Sequence, residues 1–154
     1  MTTNEAPIEP IRKTRRVSLA PAAAFDLFTS RMLEWWPVAN HSIAGEDVVE
    51  LRFEGRVGGQ LIEVARDGTE HAWADVLAWE PPYRLSLSWH PTPEPTAASI
   101  VEVRFTPDGG GSLLELDHRG WEAFGRDAGT RLHANYEPGW DGVLGAYERL
   151  ASGA

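Results

Sequence analysis

The chain contains no cysteine, which excludes disulfides, thiolate metal sites and cysteine nucleophiles together and fits a reducing, cytoplasmic setting. No segment approaches the ~18 consecutive apolar residues of a membrane span, and the polar opening stretch, with Pro7 and Pro10, lacks the apolar core of a secretion signal. Positive charge is scarce: 14 Lys and Arg stand against 23 Asp and Glu, a formal net charge of -9. A mean field of that sign repels nucleic acid and acidic membrane surfaces, so neither is expected as a partner. Chemical motifs are missing too. No HExxH or comparable ligand spacing marks a metal site, and no serine stands in a nucleophile elbow. Gly58-Gly59 and Gly109 to Gly111 precede no lysine-bearing helix, so they read as hairpin turns and not as phosphate cradles. No cofactor or metal is expected, and no residue is singled out as catalytic.

What is present points to one folded unit. At 154 residues, 42% hydrophobic and 24% charged, the chain has the length and composition to bury one core. Residues 1–10 read as a disordered or extended tail and 11–151 as the domain. Ile11 to Leu19 is an alternating, basic strand, and Arg12, Lys13, Arg15 and Arg16 within it are expected on a solvated edge. Pro21 to Thr29 and Arg31 to Trp36 read as two short helices, the second stopped by Pro37. Val48 to Phe53 and Gln60 to Ala65 form a strand pair joined through Gly55 to Gly59.

Two hairpins follow. Pro81-Pro82 interrupts the apolar span His71 to His90, and neither proline can serve a central ladder. Centring the turn there sets Ala78 opposite Leu85, Val76 opposite Leu87 and Ala74 opposite Trp89 on the covered face. Trp73, Leu77 and Trp79 then fall on the outer face, with Trp79 beside Arg84 as a cation–π pair. Ile100 to Thr106 and Ser112 to Arg119 form the second hairpin, which puts Leu114, Leu116 and His118 on one side. Trp140, Val143, Leu144, Tyr147 and Leu150 share one face of a closing helix that starts near Pro138. Strands followed by one long helix give an α+β class with a curved antiparallel sheet of six or seven strands. Gly139, Gly142 and Gly145 on that helix, together with the alanine-rich inner strand, imply unfilled volume between helix and sheet. The alternative is that the large aromatics fill it.

The order of several local motifs resembles one known group. These are Trp35-Trp36-Pro37, the Arg56-Val57-Gly58-Gly59 turn, the Val76 to Leu85 hairpin ending in Trp89, His118-Arg119-Gly120-Trp121, and Gly139-Trp140. Together, over Ile11 to Leu150, they are similar to the SRPBCC superfamily, within it the heat-shock-protein-90 ATPase activator-like branch of START-like domains. The resemblance implies a helix-grip fold with a hydrophobic cavity, whose members bind lipids or polycyclic aromatics or act as co-chaperone-like domains. It carries over no catalytic motif.

Candidate cavity walls are Phe25, Phe28, Trp35, Trp36, Phe53, Trp89, Trp121 and Trp140, with Val76, Leu87, Val103, Leu116 and Leu144 behind them. His118 is expected to contact a ligand, or to be a satisfied structural histidine; His41 sits at a pocket mouth or is merely solvated. The expected function is binding of a hydrophobic small molecule, lipid-like or aromatic. Two alternatives stand beside it: a co-chaperone-like interaction module, or a cyclase- or hydrolase-like enzyme using His118. Trp73, Leu77 and Trp79 would supply the module's surface and a homodimer interface.

Overall fold

Each strand from the second onward pairs with its sequence neighbour, through short turns except for the 90–98 loop, and the first strand closes the far side against the last. The computed structural model describes residues 8–92 and 95–152. Among these, β1 (Ile11–Val17), β2 (Val48–Phe53), β3 (Gln60–Ala65), β4 (Glu70–Glu80), β5 (Arg84–Trp89), β6 (Ser99–Asp108) and β7 (Gly111–Arg119) form one antiparallel sheet. Its order is β1-β7-β6-β5-β4-β3-β2, curled into a half-barrel. The long helix α2 (Arg126–Ala151) and the short helix α1 (Pro21–Phe28) complete the helix-grip arrangement, and the second expected helix is a single 3-10 turn, Met32–Glu34. Of the expected tail, residues 1–7 lie outside the described residues, while Ile8 packs on the core and donates its backbone N–H to Glu122.

The register of β6 against β7 follows the alternation in the sequence. Val101, Val103 and Phe105 oppose His118, Leu116 and Leu114, all buried. The outward residues form an ionic ladder: Glu102 accepts from Arg84 at 2.7 Å and Arg119 at 3.1 Å, and Asp117 pairs with Arg12 and Arg119.

The outer-face assignment of the tryptophans fails, and bulges are the reason. In β4, Val76 still faces Leu87, but the next pairs are Ala78 with Ser86 and Trp79 with Leu85. Leu77 is therefore an extra residue, and everything beyond it changes face. Trp79 turns inward, its ring centroid 5.1 Å from Phe25 and 5.5 Å from Phe53. The expected cation–π pair is absent, since Arg84 opposes Glu80 and makes ion pairs with Glu80 and Glu102. A second shift, between Leu61 and Ile62 of β3, leaves Trp73 as the extra residue on β4; its indole is fully buried. Of the three residues proposed for an interaction face, only Leu77 is exposed.

The basic cluster of β1 divides between the two faces as alternation demands. Arg12 and Arg16 point outward, but Lys13 and Arg15 are not simply solvated. Lys13 meets Glu137 at 2.9 Å and Asp141 at 3.2 Å, and Arg15 meets Asp141 at 2.7 Å and Glu148 at 3.0 Å. Three acidic side chains on one stripe of α2 thus clasp the helix to the sheet edge.

α2 is also longer than the sequence reading made it. It begins twelve residues before Pro138, which sits inside the helix and cannot donate to the Ala134 carbonyl. Burial of Trp140, Val143, Leu144 and Tyr147 on the far side of the proline offsets that loss. The glycines of α2 have different roles. Gly129 is seated so tightly that a Cβ would run into the Trp121 carbonyl oxygen, whereas at Gly142 a Cβ would meet nothing within 4 Å. Gly129→Ala is therefore expected to lower unfolding stability by about 2 kcal/mol through overpacking, and Gly142→Ala to raise it by about 0.5–1 kcal/mol through helix propensity. Paired urea denaturation curves check both signs.

Candidate functional site

Tryptophan is large enough to span the hollow between sheet and helix, but each buried indole N–H demands an acceptor. Six of the seven have one. Trp35 donates to the Leu27 carbonyl and Trp36 to that of His41, both at 2.8 Å. Trp73 donates to Glu63 at 2.7 Å, Trp89 to the Tyr136 hydroxyl at 3.1 Å, Trp121 to the His118 carbonyl at 3.0 Å and Trp140 to His118 Nδ1 at 2.9 Å. These bonds fix ring orientations, and the rings then divide the hollow.

Toward α1 the volume is occupied. Phe28 packs on Trp35, Phe105 and Tyr147 with centroids 5.1, 5.8 and 5.5 Å away. Tyr147 reaches across to donate to the Ala24 carbonyl at 2.7 Å. Phe25, Phe28, Trp35, Val76, Leu87, Val103, Leu116 and Leu144 are all buried core here, and Phe53 packs against it. Among the described residues this end of the grip is packed core. Of the three glycines expected beside unfilled volume, Gly139 lines free space, but Gly142 is exposed and Gly145 lies nearest the Arg149 side chain.

Free space remains at the opposite end, as a cleft of about 340 Å³ open to solvent on one side. Its walls are Trp36, Trp89 and Trp140 with Pro91, Val143 and Gly139; its rim carries Asn40, His41, Ser42, Asn135 and Tyr136. Thus three of the proposed wall residues are brought together, and His41 stands at the mouth. No Asp, Glu, Lys or Arg is among the described lining residues.

The rim is held from behind. Glu63, fully buried on β3, accepts from the backbone N–H of Ile43 at 2.8 Å and of Ala44 at 2.9 Å, besides the Trp73 indole. Three donors compensate the desolvated carboxylate. Ser42 is spent on the same loop, donating to Val38 and accepting from Gly45.

His118 does not face the cleft. It is fully buried behind Trp89, Tyr136 and Trp140, its ring 4.1 Å from that of Trp121. Because an indole only donates, His118 Nδ1 must accept from Trp140, which puts the proton on Nε2, 2.7 Å from the Ser99 hydroxyl. Burial, with a smaller contribution from the charge of His133, pushes its pKa down from 6.5 to about 3. Both nitrogens are engaged and the ring is neutral, so this histidine is a strut and not a proton-transfer group open to a ligand.

The comparisons with known proteins agree with this architecture. The family described as "Activator of Hsp90 ATPase homolog 1-like protein" matches residues 18–150. The chain belongs to that family. Among solved structures, an anthrahydroquino-gamma-pyrone synthase, Txn09, is 31% identical with a TM-score of 0.61, covering 94% of this chain and 96% of its own. Protein MLL2253 from Mesorhizobium loti is 23% identical, TM-score 0.66, covering 92% and 96%. The Aha1 dimer from Colwellia psychrerythraea is 13% identical, TM-score 0.67, covering 94% and 97%. The last two share the fold. No curated protein matches. Within this Hsp90-activator-like chain, no described helix is long and apolar enough to cross a membrane.

The sequence reading missed Asn40, Asn135, Tyr136, Pro91 and Val143 as cleft residues. Leu132, Tyr136 and Trp140 recur at helical spacing with Gly129, a signal that would have extended α2 and found Tyr136.

A neutral buried histidine makes folding stability depend on pH. The unfolded chain takes up the His118 proton as pH falls through 6.5 and the folded one resists until about 3, so this contribution is complete above the upper value and is lost progressively below it. Between pH 6 and 4 the slope from this group is expected to be about 1.4 kcal/mol per pH unit. His118→Gln, which retains an acceptor for Trp140, should remove that slope; an unchanged pH profile in the variant would refute the assignment.

Proposed function

We propose that this protein binds a neutral, planar, polycyclic aromatic molecule in the cleft walled by Trp36, Trp89 and Trp140. The observation that carries this reading is the cleft itself: three indoles held at fixed orientation around open space, with hydrogen-bonding groups on the rim and no Asp, Glu, Lys or Arg among the described lining residues. Rigid aromatic walls favour flat ligands by stacking and edge contacts, and pockets of small-molecule sites combine such walls with a few polar groups. The absence of charged side chains among the described lining residues disfavours carboxylates and phosphates, as does the acidic whole. A long acyl chain has less support, because the grip is packed beyond the cleft. The 31% identity to a synthase named for an anthrahydroquino-gamma-pyrone lends support from outside the geometry.

That likeness also favours a second reading, in which the bound aromatic is a substrate and the protein promotes a cyclisation on it. His118 is out of reach for such a step; His41, on the rim, is the imidazole in position. The interaction-module reading has lost two of its three residues to the core, and a homodimer through that face loses the same support.

Tryptophan emission tests the binding reading directly. Titration with neutral tricyclic aromatics should shift or quench emission, and Gly139→Leu should abolish the response. A Cβ at Gly139 lies 3.7 Å from His41, an ordinary contact, so the variant is expected to fold while its side chain fills the cleft. Affinity is expected to fall by at least about tenfold, the worth of ~1.4 kcal/mol. A response that survives Gly139→Leu would place the ligand elsewhere.

A further inference from the structure

We propose that Tyr136 selects the ligand by donating its phenolic proton to a carbonyl oxygen in the plane of the bound aromatic. The inference rests on the reading of the cleft as an aromatic site and names the chemistry that site prefers.

Hydrogen-bond accounting around one wall carries it. The Trp89 indole lies 3.1 Å from the Tyr136 oxygen, and since an indole nitrogen can only donate, the phenol oxygen is the acceptor. The phenol's own proton is then left over. Among the described residues no group accepts it, although the ring is wedged between Trp121 at 5.5 Å, His118 at 4.9 Å and Trp140 at 6.4 Å. Tyr136 lines the cleft, so an acceptor for that proton can stand there. Burial raises the phenol's pKa against the opposing effect of the Trp89 bond, so the group stays protonated and remains a donor.

A donor at the margin of an apolar cleft favours ligands that present an acceptor, since desolvating it unmatched is costly. A ketone conjugated to a flat ring system holds its oxygen in the ring plane. A polycycle lying between the indole walls therefore presents that oxygen at its edge, where the phenol stands. The chain from Trp89 through Tyr136 to the carbonyl is cooperative, each bond polarising the next. Hydrocarbon polycycles of the same outline would fill the walls but leave the phenol unmatched. The inferred ligand class is thus neutral aromatic ketones and quinone-like compounds.

Fluorenone and fluorene are flat tricycles of one outline that differ by a single carbonyl, and their dissociation constants can be read from the tryptophan indole N–H resonances of isotope-labelled protein. The wild-type protein is expected to prefer fluorenone by about fivefold, the worth of one neutral hydrogen bond, with the Trp89 indole resonance moving downfield as the ketone binds. Tyr136→Phe should bring fluorenone down to the affinity of fluorene and leave fluorene within about twofold. Equal binding of both compounds to the wild-type protein overturns the role of Tyr136 while leaving the aromatic site standing, and so does a preference that persists in Tyr136→Phe. Failure of both compounds to bind the wild-type protein removes the aromatic site and this inference with it. The wild-type ratio and the Trp89 shift do not depend on how the variant folds.

Discussion

A neutral imidazole sealed behind the cleft is the point on which the site's geometry depends. His118 is carried by β7, bonded to Ser99 on β6 and to the Trp140 indole on α2, so one ring joins two adjacent strands to the gripped helix. Its neutrality is a condition of that arrangement, because a protonated Nδ1 would confront the indole N–H with a second donor. Trp140 in turn forms a cleft wall, and Tyr136 and Trp121 pack on the faces of the same imidazole. The histidine that looked chemically promising therefore acts through the side chains it orients.

The same economy governs where empty space survives. Aromatic side chains from α1, the Trp35-Trp36 turn, β6 and α2 close the hollow at one end, because rings of this size pack edge to face and leave little void. At the other end the covering elements are the 37–44 loop and the middle of α2, and between them the cleft remains open. Glu63 anchors that loop with a buried carboxylate that would be unstable alone and is tolerated because three N–H groups converge on it. Trp73 belongs to this anchor. Its indole meets Glu63 while its ring contacts Trp36 at 5.4 Å, which links the anchor to the cleft wall.

Strand boundaries were legible because turn chemistry announces them: Gly55 to Gly59, Asp67-Gly68, Pro81-Pro82 and Gly109-Gly110 each fall between strands of the observed sheet. Facing was legible only where pairing is regular. In β6 and β7 alternation held from end to end, whereas in β4 one extra residue at Leu77 reversed Trp79, and no sequence pattern marks an irregularity that depends on two neighbouring strands at once. The start of α2 was misplaced because proline suits a first turn, and Pro138 imitates one in mid-helix. Cleft residues suffered most, since Asn40, Pro91 and Asn135 acquire meaning only when three distant segments meet.

That uneven legibility has a physical basis that bears on function. The sheet and its long helix form a base whose fold neighbours with 13% or 23% identity also share, and a shared fold does not by itself set a function. The mouth of the cleft is built from the 37–44 loop, the chain after β5 and α2 around Tyr136. Each is secured by few contacts of high specificity: Glu63 for the loop, the Trp89–Tyr136 bond for the sheet-to-helix gap, and the seat of Gly129 against Trp121 for the helix. Pro138 removes one helical hydrogen bond just beyond Tyr136, and the phenol ring is held as well by its packing on Trp121 and His118. The wall and rim of the cleft at Trp140 and Tyr136 are therefore set by packing against a buried imidazole that does not itself line the cleft.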